Sequence, residues 1–368
     1  MKLEFISERG LKGAVATALL VLLCFVGACS NRDPRTIVTF WHFWSEPAQR
    51  AALDSLIEAF ERKNPTIDVQ QTVLSWADGK AKLQVAFNSG SAPDVVHLGG
   101  DWFAEFDDAP VFDELPQAFG NGIRSAQWLV NARALVYDVR HSTGLPIGGF
   151  CVSDPHNVIK RILPLLWLNG SRLYQRLPIS GDLTDSLAGA IWQVVSSSPT
   201  AIRDRSRQLD ELLLRGEIGS VLTGAWIVAM AHKQNNSSLR VAPLPSILNS
   251  DVLALNKASS SKNAALALIS FLCQYGNARA FCMSVSDAGF PADLARASQD
   301  SVFTRDQLQR GFLQTALWSV PLVHSKKLLS IEPIIEDMLE RCIAAKSMEE
   351  VAAHIRNARE QVFRLESH

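Results

Sequence analysis

The chain has 368 residues, 47% hydrophobic and 20% charged, and 36 Lys+Arg against 37 Asp+Glu leave a formal net charge of −1. Charges of both signs run along its whole length, which excludes the concentrated basic footprint of a nucleic-acid binder. Six cysteines have neither the CxxC spacing nor the density of a disulfide-stapled domain. Lys2, Arg9 and Lys12 precede an uncharged apolar run from Ala14 to Ala28, the layout of a secretory signal. That run falls short of the roughly 20 apolar residues a membrane span needs. Setting residues 1–28 aside leaves room for two lobes at about 150 residues each.

Val26-Gly27-Ala28-Cys29 resembles a bacterial lipobox, in which Cys29 is lipidated and becomes the first residue; the other reading is a cysteine beside an ordinary signal-peptidase site. Residues 29–35 then form a polar tether. Thr36 to Phe40 is expected as a strand, followed by the aromatic link Trp41-His42-Phe43-Trp44. Pro47 opens a helix on which Leu53, Leu56, Ile57 and Phe60 share a face, and Asn64-Pro65 stops it. Ile67, Val69, Gln71 and Val73 alternate as a strand, and a second helix covers roughly residues 79–88. Asp94 to Leu98 is a short apolar strand ended by Gly99-Gly100. This βαβαβ order opens a parallel sheet. Ligand crevices border the carboxyl ends of such strands, which places Asp101 and Trp102 where a small molecule is read; an ordinary loop, with Trp102 covering core, is the competing reading.

Ala126 to Val139 reads as a first strand crossing between lobes, with Asn131 and Arg133 on one face if it is extended. Ile162 to Trp167 leads into an Asn169-Gly170 turn. Leu209 to Arg215 is a helix closed by Gly216, Ile218 to Leu222 a strand, and Thr223-Gly224-Ala225-Trp226 a turn into another helix. Leu239 to Leu244 is a strand, Asp251 to Asn256 a second crossing, and Ala264 to Leu272 a helix. Ile331, Ile334, Ile335, Met338, Leu339 and Cys342 form one helical stripe. Ser347 with Glu350 is a capping box ahead of a last helix whose stripe is Val351, Ile355, Val362 and Leu365.

Phe40-Trp41, Ala92-Pro93-Asp94-Val95-Val96, Trp128-Leu129-Val130-Asn131, Leu166-Trp167-Leu168-Asn169-Gly170, Thr223-Gly224-Ala225-Trp226 and Ser260-Ser261-Lys262-Asn263-Ala264-Ala265 follow one another in an order that resembles the family 1 extracellular solute-binding proteins, the sugar-binding receptors of ABC importers. The resemblance implies an α/β protein with a two-lobed periplasmic-binding-protein-like fold of type II, each lobe a mixed sheet flanked by helices and joined by crossing strands. Residues 36–130 with 256–310 are expected to form lobe 1, and 131–255 with 311–368 lobe 2. It further implies a lipid-anchored, extracytoplasmic monomer that holds a sugar or oligosaccharide in the interlobe cleft and delivers it to importer permeases. Asp101 and Asn131 would hydrogen-bond sugar hydroxyls, Trp226 would stack on a ring, and Trp41 and Trp44 would lie beside the same cleft. These residue types suit a pyranose, whose apolar faces want flat indole surface and whose rim wants fixed donors and acceptors. For each tryptophan the alternative is core, and for Asn131 it is satisfaction of backbone groups. Arg133 either pairs with an anionic ligand, bridges the lobes or lies in solvent.

No GxSxG elbow, HExxH, Walker loop or GxGxxG between strand and helix is present, so no enzyme or cofactor is expected. His42 and His97 face one crevice and could in principle share a metal, but with no third ligand in view no metal is expected and they serve as core or hydrogen-bond a ligand. Two segments beside the cleft, between Trp102 and Trp128 and from Tyr137 to Asn157, are contracted relative to the resembled family. That contraction motivates a second functional reading, a lipoprotein that keeps the receptor fold for adhesion or signalling without transport.

Overall fold

The computed structural model describes residues 35–367 apart from 77, 104, 105, 107–110, 156 and 322–325. The signal segment, the lipobox with Cys29 and all of the tether but Arg35 lie outside the described residues; Arg35 is ion-paired to Asp68 at 3.2 Å.

The first lobe is built on a six-stranded mixed sheet in the order β11-β4-β10-β3-β1-β2. Strands β1 (Thr36–His42), β2 (Ile67–Val73) and β3 (Val95–Gly99) run parallel, linked by α1 (Pro47–Lys63) and α2 (Gly79–Ser89). Every residue of β3 is buried, as a parallel strand covered on both faces requires. Alternation sends Val95 to the core with Leu53, Ile57 and Phe60 of α1, and Val96 and Leu98 to the core with Leu83 of α2. Each such fully buried side chain contributes about 1.5–3 kcal/mol of transfer free energy. Asp94, in the family-like PDVV segment, pins the sheet: its carboxylate accepts from Thr39 N at 2.8 Å, Thr39 Oγ1 at 2.7 Å and Ser259 Oγ at 2.5 Å. In place of an open loop after Gly99, a short helix α3 (Gly100–Phe103) carries Asp101 and Trp102.

Strand β4 (Ser125–Ala132) belongs to this sheet, and β5 (Ala134–Asp138) to a three-stranded antiparallel sheet in the second lobe, so the first crossing turns on Arg133 alone. The second lobe continues through β6 (Gly149–Cys151), α4 (Asn157–Leu168), α5 (Asp185–Ser196), β7 (Ile202–Asp204), α6 (Ser206–Arg215), β8 (Ser220–Thr223), α7 (Trp226–Lys233) and β9 (Leu239–Ala242). β8 and β9 flank β5, while β6, inside the contracted Tyr137 to Asn157 segment, pairs with β7. Gly216 takes φ +74° after α6, the left-handed cap its position implied.

Strand β10 (Leu248–Leu255) corrects two expectations. It pairs with β3 and β4, so Asp251 to Asn256 lies inside the first sheet and not in a crossing, and residues 248–255 belong to lobe 1. The second passage is instead residues 243–247, where Pro243 and Pro245 cannot donate to a ladder. The chain then continues with α8 (Lys262–Cys273), α9 (Tyr275–Ser284), β11 (Phe290–Pro291), the short helices α10 (Leu294–Ala297) and α11 (Ser301–Thr304), and α12 (Gln307–Trp318). Phe312, Leu313 and Ala316 of α12 join a core that holds both β4 of the first lobe and Val136, Val221 and Leu239 of the second lobe's sheet, and Gly311 lies against Val241 of β9, so this helix packs on both lobes around the expected boundary at 311. A third passage follows, where Leu248 N donates to Val320 O at 2.9 Å and Val320 N to Ser246 O at 3.1 Å, bonding two passages together. Helices α13 (Lys326–Ala344) and α14 (Met348–Glu366) return to the second lobe, packing Ile331, Ile335, Leu339, Val351 and Ile355 with α4 and α5. The Ser347 hydroxyl accepts from Glu350 N as a cap, but the Glu350 carboxylate turns to Lys346 N. Among the described residues no helix is long and apolar enough to cross a membrane, and Cys151, Cys273, Cys282 and Cys342 are free thiols.

Candidate functional site

Because β10 runs antiparallel to β3 and β4 to β10, the carboxyl ends of β1, β2, β3 and β4 and the beginning of β10 meet at one edge of the first sheet. Register sets Asn249 opposite Asn131, and Asp251 opposite Gly99. In the second lobe, β8 ends at Thr223 opposite Ala134, which brings Trp226 next to Arg133. Between these edges lies a cavity of about 510 Å³, within the range of small-ligand sites. Trp44, Trp76, Asp101, Trp102 and Asp251 line it from the first lobe, and Asn157, Lys160 and Trp226 from the second, with Asn131 and Arg133 at the turn between them.

Five of the six ligand candidates from the sequence, Trp44, Asp101, Trp102, Asn131 and Trp226, thus stand around one cavity. Trp41 does not. It sits within β1, paired with Thr72 and Val96, and alternation directs it away from Phe40 and His42 into the α2 side of the sheet.

The first-lobe wall is aromatic. Trp76 and Trp102 meet at 5.1 Å between centroids, and each packs on Phe43. Trp76 is 47% exposed. Trp44 is more deeply set: its ring stacks on His97 at 5.6 Å and meets Trp128 and Phe281 edge-on. His97 is a core residue. Its Nδ1 accepts from Phe43 N at 3.2 Å, so Nε2 carries the proton and donates to Asp251 Oδ1 at 2.9 Å. With both ring nitrogens engaged, His97 has no lone pair left for a metal shared with His42. Among the described residues no group of three or more His, Cys, Asp or Glu is arranged to hold one.

The second-lobe wall is cationic. Arg161 forms a two-pronged ion pair with Asp210 at 3.0 and 2.9 Å, and Trp226 Nε1 donates to the same carboxylate at 2.8 Å. The Arg133 guanidinium lies over the Trp226 ring at 4.3 Å, donating to Asn131 Oδ1 at 3.1 Å and Asn157 Oδ1 at 3.3 Å. Burial, then the neighbouring Arg161, pulls Arg133 down to about 9, so it stays charged at neutral pH. Trp226 is therefore not the open stacking surface implied by the family resemblance: one face is covered by a cation and its N–H is spent on Asp210. Burial raises Asp287, whose carboxylate accepts from Gln49 Nε2 at 2.8 Å at the cavity's edge.

Among the described residues, an ion pair spans the cleft. Lys160 Nζ of α4 meets Asp101 Oδ2 of α3 at 2.9 Å. The pair is partly exposed, so it is worth at most about 1 kcal/mol. Lys160→Met is expected to lower stability by no more than that while widening the separation of the lobes, seen as a larger radius of gyration in solution scattering; an unchanged scattering curve would remove the pair's role as a clasp.

A larger cavity of about 960 Å³ shares Ser250 with the first and runs past Gly100, Phe103, Phe119, Ile123 and Gln127. Among the described residues its only charged lining group is Arg124 and no tryptophan reaches it, whereas acids, cations and indoles converge on the cleft between the lobes, which is therefore the better site.

The sequence reasoning missed Trp76, Lys160, Asn157, Asp251 and Asp287. The strand-end rule that picked out Asp101 after β3 applies equally to Trp76, three residues past the end of β2. Lys160 and Asp251 had no such signal, since only long-range register brings them to the cleft.

Two sheets joined by three passages, with a polar and aromatic cavity between them, define a two-lobed, periplasmic-binding-protein-like fold. Residues 44–143 match the family model described as bacterial extracellular solute-binding protein. Over that segment the chain is similar to the family. A cyclo/maltodextrin-binding protein complexed with maltotetraose aligns with TM-score 0.72 and 12% identity, covering 90% of this chain and 98% of the other. The GacH receptor of Streptomyces glaucescens, solved unliganded and with acarbose, aligns with TM-score 0.69 and 18% identity over 90% and 99%. Maltose-bound MalE3 of T. maritima aligns with TM-score 0.71 and 18% identity over 90% and 100%. By sequence, an uncharacterized lipoprotein in the oleD 5'region of Streptomyces antibioticus is 26% identical over 145 residues, 34% of this chain and 32% of that relative's length.

Proposed function

We propose that the protein is an extracytoplasmic receptor, tethered through lipid on Cys29, that takes a carbohydrate-like solute between its lobes and passes it to an ABC importer. The observation that carries this reading is the cavity itself: indole surface on one wall and amide, carboxylate and ammonium groups on the others, the combination a sugar's faces and rim require. The saccharides held by proteins of the same fold support it, and the lipoprotein relative supports the anchor. Stacking falls to Trp76 and Trp102 in this reading, with Asp101, Asn131 and Asp251 on hydroxyls. Lobe rotation about the three passages closes the cleft.

A solute at 100 times its Kd stabilises its receptor by about 2.7 kcal/mol. A thermal-shift series over mono- and oligosaccharides should therefore raise Tm by several degrees for at least one of them. Trp76→Ala and Trp102→Ala should each weaken that binding by more than about 1 kcal/mol while leaving the fold intact. If no saccharide shifts Tm, the receptor reading fails. Mass spectrometry of the mature chain tests the anchor separately: it should begin at Cys29 and carry acyl mass.

A further inference from the structure

The cleft has an unbalanced charge at its hinge. Arg133 is only 8% exposed, yet among the described residues no carboxylate lies within ion-pair distance of it. Of its five N–H donors two are used, both on neutral amide oxygens, and Nε has no partner. Asp210 is the acid that acts most strongly on it, and it is already taken by both prongs of Arg161 and by Trp226. Two buried guanidiniums thus share one carboxylate, leaving one positive charge over. The remaining acids of the site are committed elsewhere: Asp101 to Lys160, Asp251 to His97, Asp287 to Gln49, while Asp154 reaches Arg133 only through the Asn157 amide. Leaving a buried cation without a partner is costly, and a bound anion would offset that cost. The first turn of α4, which contributes Asn157 and Lys160, adds the positive end of a twelve-residue helix to the same wall.

We propose that the solute is an acidic saccharide, a sugar bearing a carboxylate or a phosphate, with its anionic group seated on Arg133 and Lys160 and its pyranose face on Trp76 and Trp102. The proposal rests on the receptor reading above and narrows its substrate class. An anion there exchanges the Lys160 contact with Asp101 for one in which Lys160 and Arg133 hold a shared charge, freeing Asp101 for a hydroxyl. A neutral maltodextrin offers Arg133 only hydroxyl oxygens and leaves the excess charge uncompensated.

Calorimetric titration of the wild-type protein with matched pairs decides the question: glucuronate and galacturonate, glucose 6-phosphate, and neutral glucose, galactose, maltose and maltotriose. The acidic member should bind at least tenfold tighter than its neutral counterpart, and the ratio should shrink as salt is raised. The carboxylate and phosphate arms tell the two anion types apart. In Arg133→Met the acid-to-neutral ratio should fall to within about twofold of one, and Arg133→Lys should keep most of it. Where Arg133→Met does not fold, Lys160→Met must still narrow the ratio. Neutral sugars binding as tightly as acidic ones overturns this inference and leaves the receptor reading standing. An undiminished ratio in folded Arg133→Met overturns the seat assigned to the anion. Binding of neither class overturns both readings.

Discussion

Asp210→Ala should destabilise the protein by about 3–5 kcal/mol, read as a lower urea midpoint at unchanged slope. Arg161 and Asp210 are both almost wholly buried and joined by two hydrogen bonds, and Trp226 adds a third to the same carboxylate. Taking the carboxylate away strands two guanidiniums with no acid between them and removes the acceptor of an indole N–H. The penalty comes from the orphaned cations more than from the lost attraction. The double substitution Arg161→Met with Asp210→Leu, which removes charge from both sides, should therefore recover most of the loss. A midpoint change worth less than about 1 kcal/mol for Asp210→Ala would show that this centre is not the keystone of the second lobe's inner wall.

The second large effect concerns acid. His42 is 1% exposed, its Nδ1 has no partner, and burial, then His97 and Arg50, lowers it to about 3. An unfolded His42 takes up its proton near pH 6.5, and the folded one only near pH 3. Between those values the unfolded state holds more protons, so stability rises with pH across the window and is lost as pH falls through it. A shift of this size corresponds to a loss of about 4 kcal/mol by pH 3. His42→Leu should lack this component: its urea stability, subtracted from wild type at each pH, should give a difference that grows from pH 6.5 downward. Parallel curves for the two proteins would rule out the buried neutral imidazole. Native carboxylates also titrate at the acid end, Asp138 being held down to about 2 by Arg140, which is why the difference between the two proteins is the quantity to follow.

Where the chain repeats its polarity at short range, the sequence is a sufficient guide. The opening βαβαβ units follow from the Leu53, Leu56, Ile57 and Phe60 stripe and from the Val95 to Leu98 run, apolar but for His97, and the cleft position of Asp101 follows from the strand that precedes it. Helices α5 and α9 are not evident in the sequence: small and β-branched residues (Ala188, Gly189, Ala190, Val194, Val195) fill α5, and α9 buries only Ala278, Phe281 and Cys282, too few to show a stripe. Strand β10 was placed in the wrong lobe since a run such as Asp251 to Asn256 looks alike whichever sheet it enters; only its pairing with β3 and β4 decides. The chemistry of Trp226 was hidden for a similar reason. Its motif fixes where the ring stands, but what covers the ring is Arg133, more than ninety residues earlier in the chain, and what holds its N–H is Asp210. Arg133 itself was visible as a polar interruption of a crossing strand, and its three possible roles were left open by spacing alone.

Arg133 is also the single residue between β4 and β5. Any swivel of one sheet against the other must be taken up in part by its backbone torsions, while its side chain caps the indole at the back of the cavity. Gripping and bending are thereby geared to the same axle: whatever steadies that guanidinium also stiffens the joint, and whatever turns the joint re-aims the guanidinium.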